Sequence, residues 1–443
     1  MRSDTPLYTD LAAFAARQPL RLHMPGHKGQ PLPGLPDFPA EIDFTELPPT
    51  GDLYQRGGPV EEAEKLWAEL WGADCCLFLT GGSTQGIHTA LRCAAPGGGL
   101  VLADRVSHRS IHTGLALLGC PVAWMERDAL PNDSALGPLT PARVEQALAR
   151  WPRARAVVVT SPTYYGVLSD IPAIARVCHR HGAALVVDGA HGAHLPLLGE
   201  NPYREADFTV VSAHKTLRAP GQTALLFANG CTLDELQAAS MLFATSSPSY
   251  VMMAALDALR PWCQGEAAVR YRAAAEQVAA LRRDYPALTA EDCPLDPCRL
   301  TLCVPDGEGL NRGLMERGIY PEMADRSHVV CILTEADGAE SFARLREGLD
   351  ALGLRGQARP DSPAPALPPL PEQVCPPRAA LLAPAESVPW EAAPGRVAAE
   401  QLAPYPPGVP VVAPGERISK KVLAYLEEMG YNKQCISVLQ ETP

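Results

Sequence analysis

The stretch AALVVDGAHGAH, residues 183–194, decides the fold of this chain. Its first five residues are apolar without alternation, and an acid, Asp188, ends the run. A run that short, followed at once by small turn residues, reads as a strand covered on both faces. The stretch FTVVSAHKTL, residues 208–217, repeats the plan, with Lys215 just past the strand. Working outward, similar runs stand at 75–80, 100–103, 122–125, 156–160 and 223–227. Helical patterns near 84–93, 107–118, 141–150 and 171–181 separate most of them. This alternation predicts an α/β fold, with helices on both faces of a mostly parallel sheet. The runs at 208–212 and 223–227 lie too close together for a helical crossover. They predict a hairpin, and so a mixed sheet.

Residues 1–58 are rich in turn formers (MPGHKG, PLPGLPDFP, ELPPTGD, QRGGP) and read as an arm with little regular structure. A helical pattern runs from Val60 to a C-capping Gly72. Helices at 233–241 and 251–285 follow the sheet, and a second α/β-like region starts near Ala287. A Pro/Ala-rich stretch at 358–377 reads as a linker. The tail regains mixed structure and ends in a helix, SKKVLAYLEEMG.

The 443 residues suffice for two or three domains and a large core. A net charge of −12 argues against a nucleic-acid binder. No apolar run is long enough to span a membrane, and the polar N-terminus lacks a signal-peptide core. The 13 cysteines are odd in number and contain no C-x-x-C pair. They read as reduced thiols of a cytoplasmic protein rather than a disulfide framework or zinc site. Of the 38 basic residues only six are lysines, and Lys215 is the only one between Glu69 and Ser419. Arginine keeps its proton, whereas lysine can become an amine nucleophile, so an isolated lysine is informative.

Ligands of open α/β sheets bind beyond the carboxyl ends of the strands. Three groups fall there. The turn TGGSTQG, 80–86, opens a helix, and its free N–H groups with the Ser83 and Thr84 hydroxyls suit a phosphate. The same turn is equally an ordinary capped helix start. Asp188 either caps a turn or faces a ring nitrogen, which it would keep protonated. Lys215 follows its own strand. Together they are the three anchors that pyridoxal 5'-phosphate (PLP) needs: one for the phosphate, one for the ring nitrogen, one for the aldehyde. His108, His191, His194 and His214 cluster around them in sequence. His191/His194 and His23/His27 have metal-like spacing, but no third ligand joins them and no metal is expected.

The segments LHMPGHKG (22–29), DFTELPPTGDL (43–53), GGSTQG, DRVSHRSIHTGL (104–115), DGAHGAH, SAHKTL, TSSPSY (245–250) and YPPGVPVVAPGE (405–416) resemble, in order, the motifs of the Orn/Lys/Arg decarboxylase family. The resemblance covers nearly the whole chain, at the length of the short bacterial branch that lacks an N-terminal wing domain. It implies a fold-type I PLP enzyme with a mixed, mostly parallel seven-stranded sheet and a smaller C-terminal α/β domain. The implied organisation is an arm at 1–58, a PLP-binding domain at 59–265, a first part of the small domain at 266–357, the linker at 358–377 and the rest of the small domain at 378–443. Lys215 would carry the cofactor as a Schiff base, and Asp188 would pair with its ring nitrogen. His108 would stack on the ring. Ser83, Thr84 and Ser212 would bind the phosphate, with Ser246 reaching that of a neighbouring subunit. His191 would lie against the cofactor, and His214 would stand near the reacting carbon as a proton donor. Sites shared in this way imply a homodimer or larger homo-oligomer. Gly189 stands where the family commonly has Glu, and Arg109 where it commonly has Lys.

The implied reaction is α-decarboxylation of lysine, arginine or ornithine, a small-molecule substrate. Its distal cation would need a carboxylate, for which Glu46, Glu322 and Asp325 are candidates in loop-like motifs; taken singly, each reads more readily as a solvated loop charge. The same anchors would serve an aminotransferase or an aldolase/lyase, and a non-catalytic PLP-fold binding protein is the alternative from another class.

Overall fold

In the computed structural model, which describes residues 3–361, 368–404, 410–431 and 433–440, the apolar runs are strands. They are β1 (Cys75–Leu79), β2 (Val101–Asp104), β3 (Val122–Met125), β4 (Ala156–Thr160), β5 (Ala184–Asp188), β6 (Phe208–Val211) and β7 (Ala224–Ala228). They form a seven-stranded sheet in the order β1-β7-β6-β5-β4-β2-β3. β2 runs parallel to β3 and β4, and β5 parallel to β6. β7 is antiparallel to both its neighbours, so the sheet is mixed and 208–227 is the expected hairpin. β2, β6 and β7 are buried along their whole length, as strands covered on both faces must be.

The chain divides into two compact units: Met1–Cys93 with Val186–Arg272, and Ala94–Leu185 with Ala273–Pro443. In the first, the helix Gly58–Trp71 buries Trp67 and Trp71. Trp71 stacks on Phe227 of β7 at 4.0 Å between ring centres, and Trp67 donates its indole N–H to the Leu256 carbonyl at 2.9 Å. The helix Gly82–Ala94 lies very close to the sheet, because Gly86 has no side chain. A Cβ there would stand 2.5 Å from Leu79 Cδ1 and 2.7 Å from Val210 Cγ1.

In the second unit, a buried pair joins the ends of two parallel strands: Arg127 donates to Asp104 at 2.5 Å and to the Thr160 carbonyl at 2.6 Å. A further sheet, β8 (Arg299–Cys303), β10 (His328–Ile332) and β9 (Met323–Ala324) in that order, packs helices Gly307–Met315 and Ala339–Ala351 around Leu300, Leu302, Leu314, Val329 and Leu349. A two-stranded sheet, β11 (Ala385–Pro389) with β12 (Cys435–Leu439), closes a third cluster around Trp390 and Leu426. His328 is held between Asp133 (2.9 Å) and Asp325 (3.1 Å), and Arg359 covers Asp133 at 2.7 Å. Burial opposes charge on this imidazole, yet its two carboxylate partners raise its pKa well above the usual value.

Three local expectations are corrected. The arm contains a helix, Pro6–Ala16, which a Pro at its start and the buried Leu7 and Leu11 stabilise. The stretch 251–285 is two helices, Tyr250–Gln264 and Glu266–Asp284, parted at Gly265. The tail does not end in its helix, Lys420–Glu428, but continues into β12. Part of the proline-rich linker, 362–367, and part of YPPGVPVVAPGE, 405–409, lie outside the described residues. No helix among the described residues is long and apolar enough to cross a membrane.

Candidate active site

At the carboxyl ends of β5 and β6 the two decisive motifs interlock. The Gly189 N–H donates to the Val210 carbonyl at 2.9 Å, and the Ser212 N–H to the Ala190 carbonyl at 3.4 Å. This lacing brings the Lys215 amine to 3.2 Å from His191 Nε2. Asp188 is buried at the end of its strand and accepts the Ala190 N–H at 3.2 Å. Ser212 is fully buried, and its hydroxyl has no hydrogen-bond partner. A buried hydroxyl left unmade costs about 1–3 kcal/mol. A hydroxyl in that state beside a lysine and an acid fits a site that holds a polar group.

His214, one residue before the lysine, places Nδ1 2.9 Å from the Thr223 carbonyl. A carbonyl can only accept, so Nδ1 carries a proton and Nε2 is the nitrogen left for chemistry. The same segment reaches the glycine turn. Gln222 donates to the Thr80 carbonyl at 2.5 Å, and Gln222, Thr223 and His214 thus link the turn to the lysine loop. Ser83 and Thr84 lie in the first turn of the helix Gly82–Ala94, where unpaired N–H groups and the helix dipole favour an anion. Ser83 is half-buried and Thr84 exposed.

The turn is held from behind by a residue that was not singled out from the sequence. Gln85, buried, accepts the Gly81 N–H and donates to Ser240 Oγ, both at 2.8 Å. Its signal was a lone glutamine on the sheet-facing side of an otherwise small or apolar helix start. Tyr164 and Tyr165 were also passed over, in the SPTYYG segment after β4.

Lys215, His191, Asp188, Ser212, His214 and the Ser83–Thr84 turn all belong to the first unit. His108 belongs to the second, where it caps the helix Arg109–Leu118 by accepting the Ser110 N–H. Ser246 is exposed in the loop after the helix Leu233–Ser240. His27 pairs with Asp43 at 3.1 Å. Gly189 has a packing reason: a Cβ there would stand 3.3 Å from the Val210 carbonyl oxygen and 3.4 Å from the Tyr203 ring.

Among the three acids proposed for a distal cation, Asp325 is fully engaged by His328, the Ser327 N–H and the Tyr165 hydroxyl (2.6 Å). Glu46 accepts from its neighbour Thr45. Glu322 is exposed and accepts the Tyr164 hydroxyl at 2.5 Å, which leaves carboxylate capacity free for a cation.

Comparison with known proteins identifies the family. Residues 5–285 match the family model for the Orn/Lys/Arg decarboxylase major domain, and residues 367–435 that for its C-terminal domain. The arginine decarboxylase of Bacillus subtilis (strain 168) is 29% identical over 96% of this chain and 93% of that protein. The constitutive lysine decarboxylase of Escherichia coli (strain K12) is 25% identical over 87% of this chain and 69% of that protein. The solved structure of the Escherichia coli constitutive lysine decarboxylase superposes with a TM-score of 0.80 at 20% identity, covering 99% of this chain and 82% of that one. Sphingomonas wittichii serine palmitoyltransferase shares the fold over 66% of this chain and 77% of that one, at 18% identity and a TM-score of 0.53. The chain belongs to the Orn/Lys/Arg decarboxylase family, and is a fold-type I amino-acid decarboxylase whose cofactor is pyridoxal 5'-phosphate.

Proposed function

We propose that this enzyme removes the α-carboxylate of a basic L-amino acid, arginine first among arginine, lysine and ornithine. One observation supports the reading: a buried acid ends one strand, and an unpartnered buried hydroxyl and a lysine follow the strand that adjoins it. The relatives named arginine decarboxylase, similar over 96% of this chain, put arginine first.

When bound, the cofactor supplies an electron sink for the pair released as CO₂ departs. Lys215 would hold its aldehyde, and His191 Nε2, 3.2 Å away, would orient that amine. Asp188, held by the Ala190 N–H, would pair with the ring nitrogen and keep it protonated. Ser83, Thr84 and Ser212 would hold the phosphate, His108 would contact the ring, and Ser246 would serve the site of a second copy. His214, anchored through Nδ1, delivers a proton to the α-carbon from Nε2. Glu322 takes the distal ammonium or guanidinium. The protein acts in the cytoplasm as a homodimer or larger homo-oligomer, as sites shared through Ser246 would require.

The test is CO₂ release from carboxyl-labelled arginine, lysine and ornithine, with parallel detection of keto acids. CO₂ with a stoichiometric amine supports the reading. Keto acid without CO₂ would assign an aminotransferase. Bound cofactor with no turnover of any of the three would assign a binding protein.

A further inference from the structure

The second unit joins two side chains 311 residues apart in sequence, Arg105 of DRVSHRSIHTGL and Glu416 of VVAPGE. Both are buried, Glu416 completely. The guanidinium donates to each carboxylate oxygen at 2.8 Å and to the Val411 carbonyl at 2.7 Å. The carboxylate is itself fixed, because it accepts the Ala413 N–H at 2.7 Å. The Glu416 backbone carbonyl accepts the Ala398 N–H at 2.9 Å, and Ala398 is fully buried in the cluster around Trp390 and Leu426. Arg105 also lies over the Trp124 ring, 5.0 Å from its centre. Trp124 in turn stacks on His112 at 4.5 Å, and His112 Nε2 is 3.1 Å from the Ser107 hydroxyl.

The turn from Asp104 to Ser110 is thus pinned along its length. Asp104 holds Arg127 and accepts the Val106 N–H at 3.0 Å, Arg105 holds Glu416, and Ser107 meets His112. Ser110 donates its N–H to His108 Nδ1 at 3.2 Å, which sets the plane of that ring. Asp104, Arg105, Ser107 and Ser110 are all buried, whereas the His108 they hold is exposed. A buried ion pair contributes little net stability, because desolvation offsets its attraction. What a bidentate pair supplies is geometry, since two parallel N–H···O bonds fix both the plane and the direction of the guanidinium. We propose that Glu416 is a positioning residue, acting through Arg105 to set where the turn presents the His108 imidazole. The inference rests on the reading of His108 as the residue that contacts the cofactor ring. A segment near the C-terminus thereby tunes cofactor affinity through the turn at 104–108.

The test measures PLP affinity of the full-length protein by equilibrium dialysis. It compares wild type, H108A, E416Q and R105K, and then E416Q and R105K each combined with H108A. E416Q keeps the side-chain shape but replaces one acceptor with a donor, and R105K keeps the charge but loses the planar fork. H108A, E416Q and R105K should each weaken binding roughly three- to tenfold, the scale of one ring-stacking contact. Each double variant should bind no more weakly than H108A, because the turn then has no ring to place. A merely structural ion pair would lower affinity equally with and without His108, and that additivity would overturn the proposal. Wild-type affinity in both E416Q and R105K would overturn it too, and R105K decides where E416Q fails to fold. Wild-type affinity in H108A would overturn the ring-contact reading and this inference with it, whereas a weakened H108A with additive partners removes this inference alone.

Discussion

Gly86→Ala should destabilise this enzyme although it places a better helix former inside a helix. In an exposed helix interior that change is worth about 1 kcal/mol in favour of alanine. Here the new methyl would lie 2.5 Å from Leu79 Cδ1 and 2.7 and 3.3 Å from the two methyls of Val210. Carbon atoms rest at roughly 3.5–4.0 Å, so the helix Gly82–Ala94 must lift from the sheet or the strands must give. Overpacking of this kind costs about 1–3 kcal/mol. Set against the propensity gain, the net loss is about 0–2 kcal/mol, up to a roughly thirtyfold shift toward the unfolded state. The lift also moves Ser83 and Thr84, so cofactor affinity falls with stability. Urea unfolding followed by circular dichroism, at fixed PLP, measures the first effect, and equilibrium dialysis the second. Val210→Ala removes both methyls facing the new Cβ, so the double variant should be more stable than the two single losses predict by about 1 kcal/mol or more. A stabilised Gly86→Ala, or strict additivity with Val210→Ala, would refute the close approach.

Three further outcomes follow from named groups. Burial raises the Asp257 carboxyl to about 6, against the Tyr8 and Leu7 N–H groups and Arg260, which lower it. The folded state therefore holds a proton that the unfolded state releases, and stability falls as pH rises from about 4 to 6; Asp257→Asn keeps an acceptor for Tyr8 and should remove roughly 2–3 kcal/mol of that fall, read by urea midpoints at pH 4 and 6. His328→Leu strands two buried carboxylates and should cost about 3–5 kcal/mol at neutral pH. Because the folded pKa of His328 is raised, its contribution is full below about 6.5 and fades as pH climbs through the higher value, so the gap to wild type should narrow in alkaline buffer. Glu322→Gln should raise KM for the basic substrate roughly 10- to 100-fold with little change in kcat, the scale of one lost charge-assisted contact, while Asp325→Asn should act chiefly on thermal stability.

Much of the fold was legible because strands buried on both faces leave continuous apolar runs, as ALVVD and FTVV do. The hairpin of β6 and β7 was legible from spacing alone. The helix Pro6–Ala16 was not, because its Leu7 and Leu11 stand in a segment otherwise crowded with turn residues. The final strand β12 was hidden because its partner, β11, lies some fifty residues upstream, and such pairing leaves no local pattern. The site followed the same division. Lys215, Asp188 and the Ser83 turn announce themselves by falling just past strands. Gln85 works through a contact to Ser240, 155 residues away, and His328 through one to Asp133, 195 residues away. Such partners are set by tertiary packing, and no spacing rule reaches them. The engagement of Asp325 by His328 and Tyr165 could be read only from coordinates.

The most direct test of the central claim is to reduce the PLP-loaded enzyme with borohydride, digest it and map where the cofactor is fixed. The account predicts one modified peptide, with the pyridoxyl group on Lys215, and no modification in Lys215→Ala. Attachment at Lys28, Lys65 or any other lysine, with Lys215 left unmodified, would contradict it.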